Sequence, residues 1–283
     1  LMAKTAIVTG ANAGMGLATS IGLLKEGWHI IMVCRSEERG RAAVEQALRA
    51  SGGQGTAELM LCDLGSLASI RRFAAEFLAT GKPLDVLINN AGVISLKRQE
   101  TADGFELMLG VNHLGHFLLT LLLLGRLKEA EQGRIVIVSS GAYKVGRLDF
   151  ADLNLTRGFN VMRGYGQSKL ANILFTTELA RRLEGTNVTV NCLHPGAVAT
   201  SLGVNRSTGF GKGMYALMRP FFLTAEEGSQ TALYLARHPE VAKVSGEYYY
   251  KQRPQRLSSK AADRKAAEQL WAWSVQQTGA PPL

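Results

Sequence analysis

At 283 residues, 46% of them hydrophobic, the chain can bury the core of one large α/β domain or of two small ones. Its 32 Lys and Arg against 23 Asp and Glu leave a formal charge of +9, which suits an anionic ligand, an acidic lipid surface or nucleic acid. No nucleic-acid-binding motif is present, and no aromatic residues interleave with the densest basic cluster, "KQRPQRLSSKAADRK" from Lys251. That cluster reads as a solvated loop and helix face, with weak attraction to a membrane surface as the sharper alternative.

In chain order, "KTAIVT" from Lys4 is the first predicted strand, and "TGANAGMG" (Thr9 to Gly16) follows it, ahead of a helix predicted over 15–26. Gly10, Gly14 and Gly16 permit φ > 0 and a close backbone approach to a pyrophosphate. The helix N-terminus adds N–H donors and a positive dipole end. The spacing is G-x-x-x-G-x-G, not the common G-x-G-x-x-G fingerprint. The second strand, "HIIMVC" from His29, runs into "RSEERG", with Arg35 at its tip and no acid before Glu37. An acid there would bind the ribose 2′-hydroxyl of NAD, whereas an Arg accommodates the 2′-phosphate of NADP. Arg35, assisted by Ser36 and Arg39, therefore favours NADP(H).

Helices are predicted over 37–50, 66–79, 103–129, 163–184, 226–237 and 261–276. Between them lie the runs "AELMLC" (Ala57), "LDVLIN" (Leu84), "RIVIVS" (Arg134), "VTVNCL" (Val188) and "GEYYY" (Gly246). Near-continuous apolar strands alternating with helices imply a parallel sheet covered on both faces. The expectation is a single α/β Rossmann domain over 1–283, doubly wound, with about seven strands in the order 3-2-1-4-5-6-7. Long irregular segments at 141–162 and 196–224 both follow strand C-termini, where ligands bind in open α/β sheets.

Cys34, Cys62 and Cys192 form no CxxC and have no partnering His spacing, so neither a disulfide framework nor a zinc site is indicated. His113 and His116 lack a third ligand nearby in sequence and read as packing or hydrogen-bonding residues; no metal is expected. No signal peptide is visible, and the longest apolar run, "FLLTLLLL" from Phe117, is far short of the ~20 residues of a span. A soluble, cytoplasmic protein is the expectation.

The stretch "RGYGQSKLANILF" from Arg163 places Tyr165 and Lys169 at i and i+4, on one helix face. A lysine cation beside a phenol lowers the phenol's pKa from about 10 toward neutrality, so that it can give and take protons.

With these residues on the page, the chain resembles the short-chain dehydrogenases/reductases. The motifs "TGANAGMG", "CDLGS", "NNAG", "VNHLGHF", "VSSGAY", "YGQSK" and "HPGAVAT" occur in family order along the whole length. "CRSEERG", "NHLGHFLLT" and "SKLANILFTTELARRL" look most like the retinol dehydrogenase and WW-domain oxidoreductase branch, without a visible anchor or WW domain, as in a bacterial-type member.

The resemblance implies that Tyr165 is the acid/base, that Lys169 lowers its pKa and grips the nicotinamide ribose, and that Ser140 orients the substrate carbonyl. Asn112 would fix a water leading to Lys169. Gly10, Asn12, Gly14, Met15 and Gly16 would cradle the cofactor, with Arg35 and Ser36 at its phosphate. Asp63 and Leu64 would lie at the adenine, and Asn90, Ala91 and Gly92 along the riboses. Pro195, Gly196, Val198 and Thr200 would lie near the nicotinamide and phosphates. The gap from Ser140 to Tyr165 is longer than in many members, and Tyr143 lies inside it; with Arg147 at i+4 in place of a lysine, Tyr143 is rejected as the acid.

The apolar, Gly-hinged segment at 201–224 suits a lid over a medium-to-large hydrophobic aldehyde or ketone, a small-molecule hydrophobic carbonyl or alcohol substrate, or else a core-packed or oligomer-facing helix. An NADP(H)-binding sensor without turnover, and an enone reductase on the same scaffold, remain alternatives. A homo-oligomer built on the helices 103–129 and 163–184 is a further expectation, although this branch contains monomers.

Overall fold

The computed structural model describes residues 3–196 and 223–283. Its strands are β1 (Thr5–Thr9), β2 (His29–Cys34), β3 (Thr56–Leu61), β4 (Val86–Asn89), β5 (Gly133–Val138), β6 (Val188–His194), β7 (Tyr248–Tyr250) and β8 (Arg253–Pro254). They form one sheet in the order β3-β2-β1-β4-β5-β6-β7-β8. The order 3-2-1-4-5-6-7 read from the sequence is the one observed, and every pairing among these strands is parallel. The addition is β8, which pairs antiparallel with β7. Its turn puts Lys251 (φ 49°) and Gln252 (φ 61°) in the left-handed region, where side chains other than Gly are uncommon. No Asn-Gly or Asp-Gly announces that hairpin, and a two-residue edge strand ending in Pro leaves little pattern to read.

The helices are α1 (Gly14–Leu24), α2 (Glu37–Ala50), α3 (Leu67–Ala79), α4 (Leu107–Glu129), α5 (Val161–Arg182), α6 (Ala225–Arg237) and α7 (Arg264–Thr278). One core lies between the sheet and α3, α4, α5 and α7, and the other between the sheet and α1, α2 and α6. β1, β4 and β5 are buried along their whole length, which is why they read as unbroken apolar runs.

α4 starts later than the predicted residue 103. Gly104 (φ +82°) turns the chain first, and the buried Glu106 carboxylate then accepts bonds from the Met108 and Leu109 amides at 2.9 and 2.8 Å. The helix passes through a π-turn at Gly110–Leu114. It is long and apolar enough to cross a membrane, with a mean hydropathy of 1.8, which corrects the reading that nothing in the chain approaches that length. Within the fold, however, 89% of that window is buried, so its apolarity is that of a core helix covered along most of its surface. α7 supplies part of the cover: Trp271 sits edge-on to Phe117 at 5.0 Å and tilted against Phe175 at 6.0 Å.

Among the described residues, parallel strands bring the loops that follow β1, β2, β3, β4 and β5 to the C-terminal edge of the sheet. The strand order reverses between β1 and β4, the crevice where such sheets take ligands.

Candidate active site

The β1–α1 loop is shaped by its glycines. Gly10 (φ +66°) and Gly14 (φ +54°) occupy the left-handed region. A Cβ on Gly16 would lie 2.4 Å from the Gly10 carbonyl oxygen and 2.5 Å from Asn90 Nδ2, so the loop closes directly onto "NNAG". Thr9 ties the two together. Its hydroxyl accepts from the Asn90 and Ala91 amides at 2.9 and 3.0 Å, and Asn90 Nδ2 donates to the Thr9 carbonyl at 2.8 Å. α2, α3, α5, α6 and α7 are capped by the side chains of Ser36, Ser66, Asn160, Thr224 and Asp263, but Ala13 at the head of α1 makes no such bond. Bare amides at a dipole's positive end, reached over Cβ-free backbone, are the donor set a dinucleotide pyrophosphate needs. Asn12 is half-buried beside them, and Met15 is buried.

Arg35 is exposed at the tip of β2, and among the described residues neither it nor Arg39 has an acidic partner within 4.0 Å. Ser36 is engaged as the cap of α2, accepting from the Arg39 amide at 3.4 Å. Asp63, at the end of β3, is exposed and accepts from the Gly65 amide at 2.9 Å, while Leu64 is buried under Gly115. Pro195 and Gly196 are half-buried after β6, and the Gly196 amide (φ +91°) donates to His194 Nδ1 at 3.1 Å. Val198, Thr200 and the 201–222 stretch of the expected lid lie outside the described residues.

Ser140 follows β5 in extended conformation, its Oγ accepting from the Ala142 amide at 3.2 Å, and its hydroxyl lies near enough to the Tyr165 phenol on α5 to favour the ionised form. The chain after Ser140 crosses α5 in contact with it. A Cβ on Gly146 would lie 2.2 Å from the Gly166 carbonyl oxygen, and one on Gly166 would lie 2.9 Å from the Gly146 amide. This explains the glycine after Tyr165: only bare backbone lets the serine turn approach the tyrosine so closely. Lys260, one member of the basic cluster read as solvated, is half-buried and donates to the Lys144 and Gly146 carbonyls, holding the turn down. Ser139 donates to the Lys169 carbonyl at 2.8 Å and so fixes α5 against β5.

Lys169 Nζ donates to the Val138 carbonyl at 3.1 Å and stands 5.5 Å from the Tyr165 ring centroid. Burial pulls its pKa down to about 8. Burial also pushes the Tyr165 phenol above its ordinary value, against the opposing effect of the nearby Ser140 hydroxyl. The expected depression of the phenol by the ammonium is therefore corrected: removal from water dominates both groups and disfavours both charged forms.

Asn112 lies in the π-turn of α4. Its side chain clamps the "NNAG" loop to α5, accepting from the Val93 amide at 2.8 Å and donating to the Val93 carbonyl and Ser168 Oγ at 3.1 and 3.0 Å. Gly92 lies against both Asn112 Oδ1 and Lys169 Nζ, each 3.6 Å from where its Cβ would be. Tyr143 is buried edge-on to Tyr248 at 5.4 Å. The sequence reading did not anticipate Ser139, Gly146, Gly166 and Lys260, whose roles are contacts across the chain. A groove of about 640 Å³ at the opposite edge of the sheet, lined in part by Lys4, Trp28, Asp85 and Arg134, contains none of the residues of this site.

A family model described as short chain dehydrogenase matches residues 4–209. Human retinol dehydrogenase 14 is 48% identical over 290 residues, covering 98% of this chain and 86% of that protein. Human retinol dehydrogenase 13 is 44% identical over 283 residues, covering 98% and 85%. Among solved structures, an uncharacterised protein from Mycobacterium paratuberculosis superimposes with a TM-score of 0.78 at 35% identity, covering 99% of this chain and 95% of the other. An actinorhodin polyketide ketoreductase determined with NADPH superimposes at 0.65 with 26% identity, covering 87% and 93%. The chain belongs to the short-chain dehydrogenase/reductase family, NAD(P)(H)-binding oxidoreductases that act on CH–OH groups.

Proposed function

We propose that the protein is an NADP(H)-dependent oxidoreductase that reduces a hydrophobic aldehyde or ketone to the alcohol, or runs the reverse reaction. The observation that carries this reading is the convergence of Ser140, Tyr165 and Lys169 at the sheet edge beside Gly92 and the bare head of α1. The dinucleotide, when bound, supplies or accepts the hydride. Gly10, Asn12, Gly14, Met15 and Gly16 hold its pyrophosphate. Asp63, Leu64, Asn90, Ala91 and Gly92 border its adenosine and ribose parts, and Arg35 with Ser36 takes the 2′-phosphate.

As charge grows on the carbonyl oxygen, the Ser140 and Tyr165 hydroxyls donate to it. Tyr165 yields its proton, and the Lys169 ammonium beside it stabilises the phenolate. Burial keeps the phenol protonated at neutral pH, so a proton is in place to be given, while a lysine near 8 can exchange a proton around neutral pH. The apolar substrate class is supported by the names of the relatives. Leu96, Val145 and Met162 support it too, as large exposed apolar residues in the same stretches of chain as Val93, Ser140 and Tyr165. α7 covers the long helices, so the chain is read as a monomer with respect to those faces.

Initial rates of NADPH and NADH oxidation against retinal, nonanal and acetaldehyde test the reading, with Tyr165→Phe alongside. The expected result is NADPH-dependent turnover of the apolar aldehydes that Tyr165→Phe abolishes. Turnover that survives the substitution would remove Tyr165 as the acid. Binding of NADPH without any turnover would favour a sensor.

A further inference from the structure

The proposed chemistry leaves His113 and His116 of "NHLGH" without a role, yet both are about 1% exposed in the layer behind Asn112 and Lys169. His116 Nδ1 lies 3.1 Å from the Asn112 carbonyl oxygen, and its Nε2 lies 2.9 Å from Thr9 Oγ1. Those two partners determine where the ring carries its proton. A hydroxyl has one hydrogen and two lone pairs. Both lone pairs of Thr9 Oγ1 are taken by the Asn90 and Ala91 amides. Its hydrogen therefore points to Nε2 at 2.9 Å in preference to the Ile88 carbonyl at 3.4 Å. Nε2 then accepts and Nδ1 carries the hydrogen, which is what the Asn112 carbonyl, an acceptor only, requires. The opposite tautomer would crowd three N–H donors onto one hydroxyl and turn a nitrogen lone pair toward a carbonyl.

We propose that His116, as the neutral Nδ1–H tautomer, is a positioning residue that ties the Asn112 carbonyl to Thr9 beneath the cofactor loop. This sets the Asn112 peptide against Lys169. The proposal rests on the carbonyl-reductase reading for its effect on rate. The ring cannot gain a second proton without losing the Thr9 bond. Its environment opposes that proton too: burial holds the pKa near 4, and the charged group facing the ring is Lys169 of α5, with His113 on its own helix. The bridge joins residues 107 positions apart, through one ring, from the floor of the cofactor cradle to the π-turn of α4.

His113 does not share this arrangement. Its Nε2 meets Ser274 of α7 at 3.0 Å, so it faces the outer helix and not the cofactor loop.

Two measurements test the bridge. Long-range ¹H–¹⁵N correlation on histidine-labelled protein, assigned by the signals lost in His116→Phe, is expected to show His116 neutral with its hydrogen on Nδ1 at pH 7. An Nε2–H or doubly protonated ring would overturn the proposal. In steady-state kinetics with NADPH and nonanal, His116→Phe is expected to lower kcat about 10-fold or more, a fraction of what general acid–base catalysis contributes. KM for nonanal should stay within about 3-fold, and the pH at which kcat falls should move. His116→Asn, whose amide can replace the Nδ1–H donor, should recover most of the rate and the wild-type pH profile. An unchanged kcat in His116→Phe, or equal losses in His116→Asn and His116→Phe when both fold with wild-type circular dichroism, would sink the positioning role. A wild type inert toward every carbonyl would remove the carbonyl-reductase reading, while the tautomer would still decide whether the bridge exists.

Discussion

Arg35 and Lys169 make the strongest single-residue claims. Arg35 is exposed at a strand tip where a 2′-phosphate would sit, so Arg35→Ala should weaken NADPH binding by about 1.5–3 kcal/mol, the scale of a charged hydrogen bond. NADH binding should hardly change; calorimetric titration with both cofactors checks it, and equal losses would remove the phosphate role. Lys169 is held in the fold at a cost to stability. An unfolded lysine keeps its proton up to about 10.5, whereas the buried one releases it near 8. Between those values the unfolded state binds more protons, so stability rises with pH; below 8 the penalty is fully present, about 3 kcal/mol. Lys169→Met should therefore abolish turnover yet raise stability at pH 7 by about 1–3 kcal/mol, less than the full penalty because the bond to Val138 is lost. Urea unfolding at pH 7 and pH 10 reads this directly: the gap between variant and wild type should narrow at the higher pH, and a constant gap would argue against a burial cost.

At the scale of elements, the meeting of the turn after β5 with α5 decides whether Ser140 reaches Tyr165. Gly146 and Gly166 cross with no room for a side chain, and the obstruction is backbone that cannot swing aside. Gly146→Ala should cost about 1–3 kcal/mol of stability as overpacking and reduce kcat by pushing Ser140 from the phenol. Gly125 of α4 is the contrast, with nothing within 4 Å of its would-be Cβ. Gly125→Ala in that exposed helix position should stabilise by about 0.4–1 kcal/mol and leave kcat alone. Thermal and urea unfolding of the pair separates close approach from mere helix propensity. Both glycines look alike in the sequence, because a glycine's neighbours across the chain leave no mark on its own flanking residues.

For the whole molecule, the decisive feature is that among the described residues α7 covers apolar surface of both α4 and α5. α4 packs on α3 and α5, and α7 lays Trp271 over Phe117 and Phe175, with the Arg182 guanidinium 4.3 Å from the Trp271 ring. A monomer is the expected result by light scattering coupled to size exclusion; a dimer buried through α4 and α5 would require α7 to move aside. Trp271→Ala should cost about 3–5 kcal/mol as a large-to-small core substitution and expose this face, with self-association as its visible consequence.

Sequence alone was enough for the strand order, the glycine loop and the pairing of Tyr165 with Lys169 on one helix face. Each depends on local pattern: apolar runs, φ demands and the helical repeat act within a few residues of chain. It also picked out the apolar run of α4 but took it as far too short to span a membrane, whereas the whole helix has the length and apolarity for a span and is buried within the fold. Burial of α4 by α7, the glycine crossing beside Tyr165, the Lys260 anchor and the His116 bridge were decided by tertiary structure. So was the upward pKa of the phenol, which local spacing had suggested would fall. These depend on which distant groups share a space closed to water, and desolvation and hydrogen-bond geometry take their values only once the chain has closed around them.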